Sequence, residues 1–157
     1  MRVYLLDTNI WRFWFDNNPK IVTKMEGLSS GSRIVLSPIV WGEIVYGARH
    51  NPKFPFEEYS QFIRANHHAV FSVDKHVSEV YGELRNKLFK KYASKKQKWP
   101  EQLIDPATSH SLGIQENDLW LVSQALTYNL KFITNDKKMQ RIFSVTSSEL
   151  SFEIWDQ

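Results

Sequence analysis

Short apolar runs alternate with longer stretches of helical period along this chain. Val3 to Leu6 is apolar and stops at an aspartate, which predicts a buried strand. Thr8 to Phe15 reads as helix and ends at Asn17-Asn18-Pro19. Ile21 to Leu28 reads as a second short helix, closed by Ser29-Ser30-Gly31-Ser32. Arg33 to Ser37 predicts a second buried strand. Ser37 followed by Pro38 is a favourable pairing of N-cap and first helical residue, so a helix is expected through Trp41, Glu43, Ile44 and Tyr46 to about Arg49. Residues 51–55 break the chain, and Phe56 to Asn66 is an amphipathic helix. Ala69 to Val73 predicts a third strand. Asp74 then caps a long helix through Val77, Val80, Tyr81, Leu84 and Leu88.

Residues 90–113 interrupt this rhythm. They are basic at their start, contain Pro100 and Pro106, and have no clear period, which predicts an extended loop with some helix. Asn117 to Leu130 resumes a strong amphipathic helix with Leu119, Val122, Ala125 and Leu126 on one face. Lys131 to Thr134 is a fourth strand ending at Asn135-Asp136, and Leu150 to Trp155 alternates like a fifth, edge strand. Strands that alternate with helices predict an α/β fold with a mainly parallel sheet. In such sheets the functional crevice lies at the carboxyl ends of the strands, near the switch in strand order. Asp7 and Asp136 occupy that kind of position. No internal repeat or linker divides residues 1–157, so one domain is expected.

Four acids stand out. Asp7 directly follows the first strand, and Asp136 follows the fourth. Glu43 lies in an otherwise apolar helical stretch, where a carboxylate is costly unless paired or bound to a cation. Asp118 lies in the first turn of the last long helix, where the helix dipole favours its charge. Taken singly, each has a plainer reading: Asp7 and Asp118 as caps, Asp136 as a turn residue, and Glu43 on a solvated face. Taken together, they place carboxylates at one mouth of the sheet. Such a cluster repels itself, and a divalent cation with oxygen ligands relieves the conflict.

Composition narrows the chemistry. There are no cysteines, which removes disulfides, zinc thiolates and thiol nucleophiles. The five histidines (His50, His67, His68, His76 and His110) have no zinc spacing and are expected on the surface or in loops. Arg2, Asp7 and Arg12 interrupt the apolar first segment, so no signal or membrane span is expected there and the protein reads as cytoplasmic. The net charge of +3 eases the approach of a polyanion. Lys87, Lys90, Lys91, Lys95, Lys96 and Lys98, with Trp99, form the densest basic segment. That pattern suits single-stranded RNA, and equally a solvated loop.

Four segments, in this order, resemble the PIN-domain nucleases, in particular the VapC-type toxins of bacterial toxin–antitoxin pairs. They are Tyr4-Leu5-Leu6-Asp7-Thr8-Asn9; Ser37-Pro38-Ile39-Val40-Trp41-Gly42-Glu43-Ile44 with Tyr46-Gly47; Ile114-Gln115-Glu116-Asn117-Asp118-Leu119-Trp120-Leu121 with Ala125-Leu126; and Ile133-Thr134-Asn135-Asp136. The ending Phe152-Glu153-Ile154-Trp155 is similar to the usual final strand. The resemblance implies a three-layer sandwich with a central, mainly parallel five-stranded sheet flanked by helices. It implies an acidic site of Asp7, Glu43, Asp118 and Asp136, supported by Thr8, Asn9 and Thr134. Mg2+ or Mn2+ is the implied cofactor. The needs of phosphodiester hydrolysis then lead us to expect Asp7, Asp118 and Asp136 as its ligands, Asp136 directly or through water, with Glu43 orienting or deprotonating the attacking water. RNA cleavage, a homodimer and a small VapB-like antitoxin are implied as well.

Two features depart from the family pattern. Residues 90–113 look like an insertion, and Met139 stands where an aromatic is common. Trp11, Phe13, Trp14, Trp41 and Tyr46 are candidates for the antitoxin surface, with core packing as the alternative for each. The competing readings are a PIN-type RNA-processing nuclease outside a toxin pair, a catalytically weak RNA-binding module, and an acidic-site phosphatase. The last lacks the second aspartate or the lysine that such chemistry usually needs.

Overall fold

A computed structural model describes residues 2–93, 114–146 and 149–156. The elements run β1 (Val3–Leu6), α1 (Thr8–Phe15), α2 (Pro19–Glu26), β2 (Arg33–Leu36), α3 (Pro38–His50), α4 (Phe56–Asn66), β3 (Ala69–Val70) and α5 (Lys75–Tyr92). After residues 94–113 come α6 (Glu116–Thr127), β4 (Lys131–Thr134), a 3-10 turn (Lys137–Met139), α7 (Gln140–Thr146) and β5 (Phe152–Ile154). The sheet order is β3-β2-β1-β4-β5, and all four pairings are parallel. The expected α/β fold with a parallel sheet is therefore present. A parallel ladder cannot be closed by a tight turn, so the helices cross over between strands and cover the sheet.

Burial explains why the inner strands read as continuous apolar runs. Leu5, Leu6, Phe132 and Ile133 are fully buried, and Ile10, Trp11, Ile21, Val40, Ile63, Leu88 and Val122 pack around them. Burying each such side chain contributes roughly 1.5–3 kcal/mol. Caps set several helix starts. Ser37 Oγ accepts from Ile39 N at 3.1 Å, with Pro38 at the first helical position. Asn18 Oδ1 accepts from Lys20 N and Ile21 N. Thus Asn18-Pro19, expected only to close α1, also opens α2. Asn17 closes α1 with a positive φ of 56°, the left-handed conformation Asn tolerates at a helix end.

Several boundaries differ from expectation. The third strand is only Ala69–Val70, because its residues lie at the exposed edge and pair with β2 alone. Helix α5 continues to Tyr92, so Lys90 and Lys91 are helical rather than in a loop. The remainder of the expected insertion, with Lys95, Lys96, Lys98 and Trp99, lies outside the described residues, as does His110. A 3-10 turn and α7 occupy residues 137–146, where the sequence suggested nothing regular. Met139 there is buried, filling the place expected for an aromatic. Trp11 is fully buried, so it belongs to the core and not to a partner surface. Phe13, Trp14 and Trp41 are partly buried against that core, while Tyr46 is 71% exposed. Among the described residues no helix is long and apolar enough to cross a membrane.

The topology positions a crevice. Strand β1 is central; β2 lies on one side of it and β4 on the other. Chain segments leaving the carboxyl ends of β1 and β4 therefore diverge, which opens the sheet there. Helices α1 and α3 start at that end. Helix α6 also starts there, because it runs down the sheet before turning up into β4.

Candidate active site

Asp7 sits at the end of β1 and is 8% exposed. Its backbone still belongs to the sheet, with Asp7 N donating to Ile133 O at 2.9 Å. Its side chain caps α1: Oδ1 accepts from Thr8 N at 2.7 Å. The cap reading is therefore correct, and it does not exhaust the residue. Oδ2 accepts from Thr134 Oγ1 at 2.7 Å, and that same hydroxyl oxygen accepts from Asp136 N at 3.1 Å. Thr134 is fully buried at the end of β4, so one hydroxyl ties the two strand-end aspartates together. Asp136 in turn caps the 3-10 turn, its Oδ1 accepting from Lys138 N at 2.8 Å.

Glu43 reaches the same place from α3. Its Oε2 accepts from the Thr8 hydroxyl, and its Oε1 accepts from Asn117 Nδ2 at 2.8 Å. Asp118 follows on α6, where its Oδ2 accepts from Gln115 N at 3.4 Å. Helix α6 is anchored beside the site by α5. Tyr81 and Trp120 stack with ring centroids 3.9 Å apart, and Tyr81 OH and Arg85 both donate to Glu116. On the other side, Gln124 Nε2 donates to Phe71 O at 2.7 Å and Ser72 O at 3.1 Å, holding the segment after β3 to α6.

The electrostatics show that the acids share one field. Burial raises the Asp7 pKa above the ordinary carboxylate range. The Thr134 hydroxyl and Thr8 N–H lower it, while the charges of Glu43 and Asp136 push it up again. Asp118 is pushed up to about 7, chiefly by burial and then by the charges of Asp7, Asp136 and Glu43, against the lowering effect of the Gln115 N–H. Clustered, desolvated acids of this kind mark functional sites more often than structural ones.

The sequence-derived set is therefore brought together with one exception. Asp7, Glu43, Asp118 and Asp136 interact, and Thr8 and Thr134 bridge them. Asn9 is exposed on α1, with its side chain on the solvent side. Asn117 is the residue that sequence reasoning passed over. Its signal was position: it stands beside Asp118 in a first turn already capped by other groups. None of the described histidines joins the acids. His67 Nδ1 contacts Ile63 O at 2.7 Å, His68 Nδ1 accepts from Ile34 N, and His76 pairs weakly with Glu79.

The donor set fits a hard cation. It consists of carboxylate oxygens held in mutual repulsion, with no thiolate or imidazole among them. Asn135, between Thr134 and Asp136, also carries a buried Oδ1 with no hydrogen-bond partner. Among the described residues no three acids or histidines already stand in a ligating arrangement.

Comparison with known proteins agrees with this geometry. The PIN domain family model matches residues 4–143. Ribonuclease VapC1 of Haemophilus influenzae (strain R2866) is 31% identical over 160 residues, covering 98% of each chain. A structure of VapBC2 from Rickettsia felis bound to a DNA fragment from their promoter superposes with a TM-score of 0.73 at 25% identity, covering 98% of this chain and 99% of that one. A structure of VapBC-1 from nontypeable Haemophilus influenzae gives a TM-score of 0.68 at 26% identity, with 98% of each chain covered. With the acids at the carboxyl end of a parallel sheet and a match that spans nearly its whole length, this chain belongs to the PIN domain family.

Proposed function

We propose that this protein is a metal-dependent endoribonuclease that acts as the toxin of a VapBC-type toxin–antitoxin pair. The observation that carries this reading is the shared field of Asp7 and Asp118, a buried and a half-buried carboxylate far apart in the chain, the charge of the first raising the pKa of the second. Acids arranged so that they cannot all ionise comfortably are arranged for a cation. Whole-length similarity to Ribonuclease VapC1 supports RNA as the substrate, and the VapBC complexes support a small VapB-like antitoxin. The same similarity favours a toxin over an RNA-processing nuclease or a weak RNA-binding module.

Asp7, Asp118 and Asp136 would hold the ion, Mg2+ or Mn2+. The ion, when bound, shields the phosphate oxygens and lowers the pKa of water. The chain supplies the rest. Thr134 fixes the Asp7 carboxylate, and Thr8 links Asp7 to Glu43. Glu43 orients the attacking water and takes its proton. The water oxygen bonds to phosphorus as the P–O3′ bond breaks, leaving a 5′-phosphate, and the departing 3′-oxygen takes a proton from solvent to become the 3′-hydroxyl. Lys90 and Lys91 on α5, with Lys95, Lys96 and Lys98 beyond it, are the proposed phosphate-binding groups. The protein works as a homodimer in the cytoplasm, and Tyr46, Trp41, Trp14 and Phe13 contribute to the antitoxin surface.

The test is cleavage of total RNA by the purified protein in Mg2+, in Mn2+ and in EDTA, with the ends sequenced. Ion-dependent cuts bearing 5′-phosphates are expected. Cleavage that persists in EDTA, or none with either ion, would overturn the reading.

A further inference from the structure

Glu43 is gripped at both oxygens by side chains from two different helices. Thr8, from α1, donates to Oε2. Asn117, from α6 and 74 positions away in the chain, donates to Oε1 at 2.8 Å. A glutamate on a helix otherwise has three freely turning bonds, and fixing them costs rotamer entropy. One donor leaves the carboxylate able to swing about that bond. Two donors on separate elements define its plane. An ionised carboxylate offers about four acceptor positions, so two remain for a water or a substrate group.

Nothing in the local structure of α6 requires this use of Asn117. Its first turn is already capped, with Gln115 N donating to Asp118. The Asn117 carboxamide is thereby left to reach across to α3. Because Asp118 is its neighbour, one helical turn delivers an acid to Asp7 and a donor to Glu43.

We propose that Asn117 is a positioning residue for the hydrolysis: by donating to Glu43 Oε1 it holds the carboxylate in the orientation that receives the proton of the attacking water. This rests on the ribonuclease reading above. Asn117 is tied to the acids that would hold the ion only by its adjacency to Asp118, so its effect passes through Glu43.

The experiment is a double-mutant cycle on the full chain in single-turnover RNA cleavage, using Asn117→Leu and Asn117→Ala, each with and without Glu43→Gln. In the otherwise natural chain, either Asn117 substitution should lower kcat about tenfold to a hundredfold, the scale of a missing hydrogen bond to a charged group, with KM within about twofold. In the Glu43→Gln background the same substitutions should cost less than about twofold, because the partner charge is gone. Circular dichroism identifies any variant that fails to fold, and the smaller Ala variant covers failure of Leu. A second readout needs no ion and no substrate: in the metal-free protein, Glu43→Gln should move the side-chain amide resonances of Asn117. Unchanged kcat in folded variants, losses that multiply in the Glu43→Gln background, or unmoved resonances would overturn the proposal. Absence of RNA cleavage by the unsubstituted protein would instead bring down the ribonuclease reading on which it stands.

Discussion

Thr134 Oγ1 donates to Asp7 Oδ2 at 2.7 Å across 127 positions of sequence, and the bond is buried on both sides. It is the bond that makes the ends of β1 and β4 one site. A carboxylate buried this deeply favours its neutral form, and the hydroxyl is the largest influence that restores its charge. Thr134→Val keeps the shape and removes the donor. It should destabilise the protein at neutral pH by about 1–3 kcal/mol, the cost of a buried acceptor left without its partner. Thr134→Ser should lose much less. Urea unfolding of both variants measures this, and equal stability of Val and Ser variants would count against the role given to the hydroxyl.

The metal-free protein should lose stability as pH rises from about 4 to about 7. Asp118 stands at about 7 when folded, against an ordinary value of 3.8. Between those values the folded state keeps a proton that the unfolded chain releases, so raising pH favours unfolding. Asp7 is raised too and acts in the same direction. The Asp118 shift alone sets a ceiling of about 4 kcal/mol, shared with Asp7 because the two charges interact. Unfolding midpoints in EDTA from pH 4 to 8 test this. A stability that is flat or rising across that window would contradict it, and Asp118→Asn should flatten the profile.

Divalent ions should reverse that penalty. A ligand that binds only the folded state stabilises it by mass action. Mn2+ or Mg2+ at neutral pH should raise the melting temperature of the natural protein, and Asp7→Asn or Asp118→Asn should abolish the increase. The same two variants should lose at least about a thousandfold in cleavage rate, ~4 kcal/mol of transition-state stabilisation, while keeping the circular dichroism spectrum of the parent. Full cleavage by either would remove that residue from the site.

Lys90 and Lys91 close α5, where Lys91 Nζ donates to Ser144 Oγ at 2.8 Å. If they bind RNA phosphates, Lys90→Gln with Lys91→Gln should weaken binding. The salt dependence should also flatten, its log–log slope falling by about 0.7 for each phosphate no longer neutralised. Binding measured between low and moderate salt decides it, and an unchanged slope would leave these lysines as surface.

Much of the architecture was legible in the order of the residues. Val3–Leu6, Arg33–Leu36 and Lys131–Thr134 read as strands because both faces of a covered parallel sheet are apolar. Ser37-Pro38 and Asp74 announced helix starts because capping is local chemistry. The third strand was overread, since a β-rich segment at a sheet edge needs a partner on only one side and stops early. Helix α7 was missed because its buried residues Ile142, Phe143 and Thr146 span little more than one turn, too short for a period to show. Trp11 could not be placed on surface or in core from composition, since either accommodates a tryptophan.

The sequence by itself determined which residues are acids, that two of them end buried strands, and which family their spacing resembles. These are properties of short segments and of side-chain chemistry. The tertiary structure alone decided that β1 lies between β2 and β4, that Thr134 reaches Asp7, and that Asn117 donates to Glu43. The physical reason is that strand order and helix crossing are set by the packing of the whole core. A hydrogen bond between side chains far apart in the chain exists only once that packing has chosen which ends meet.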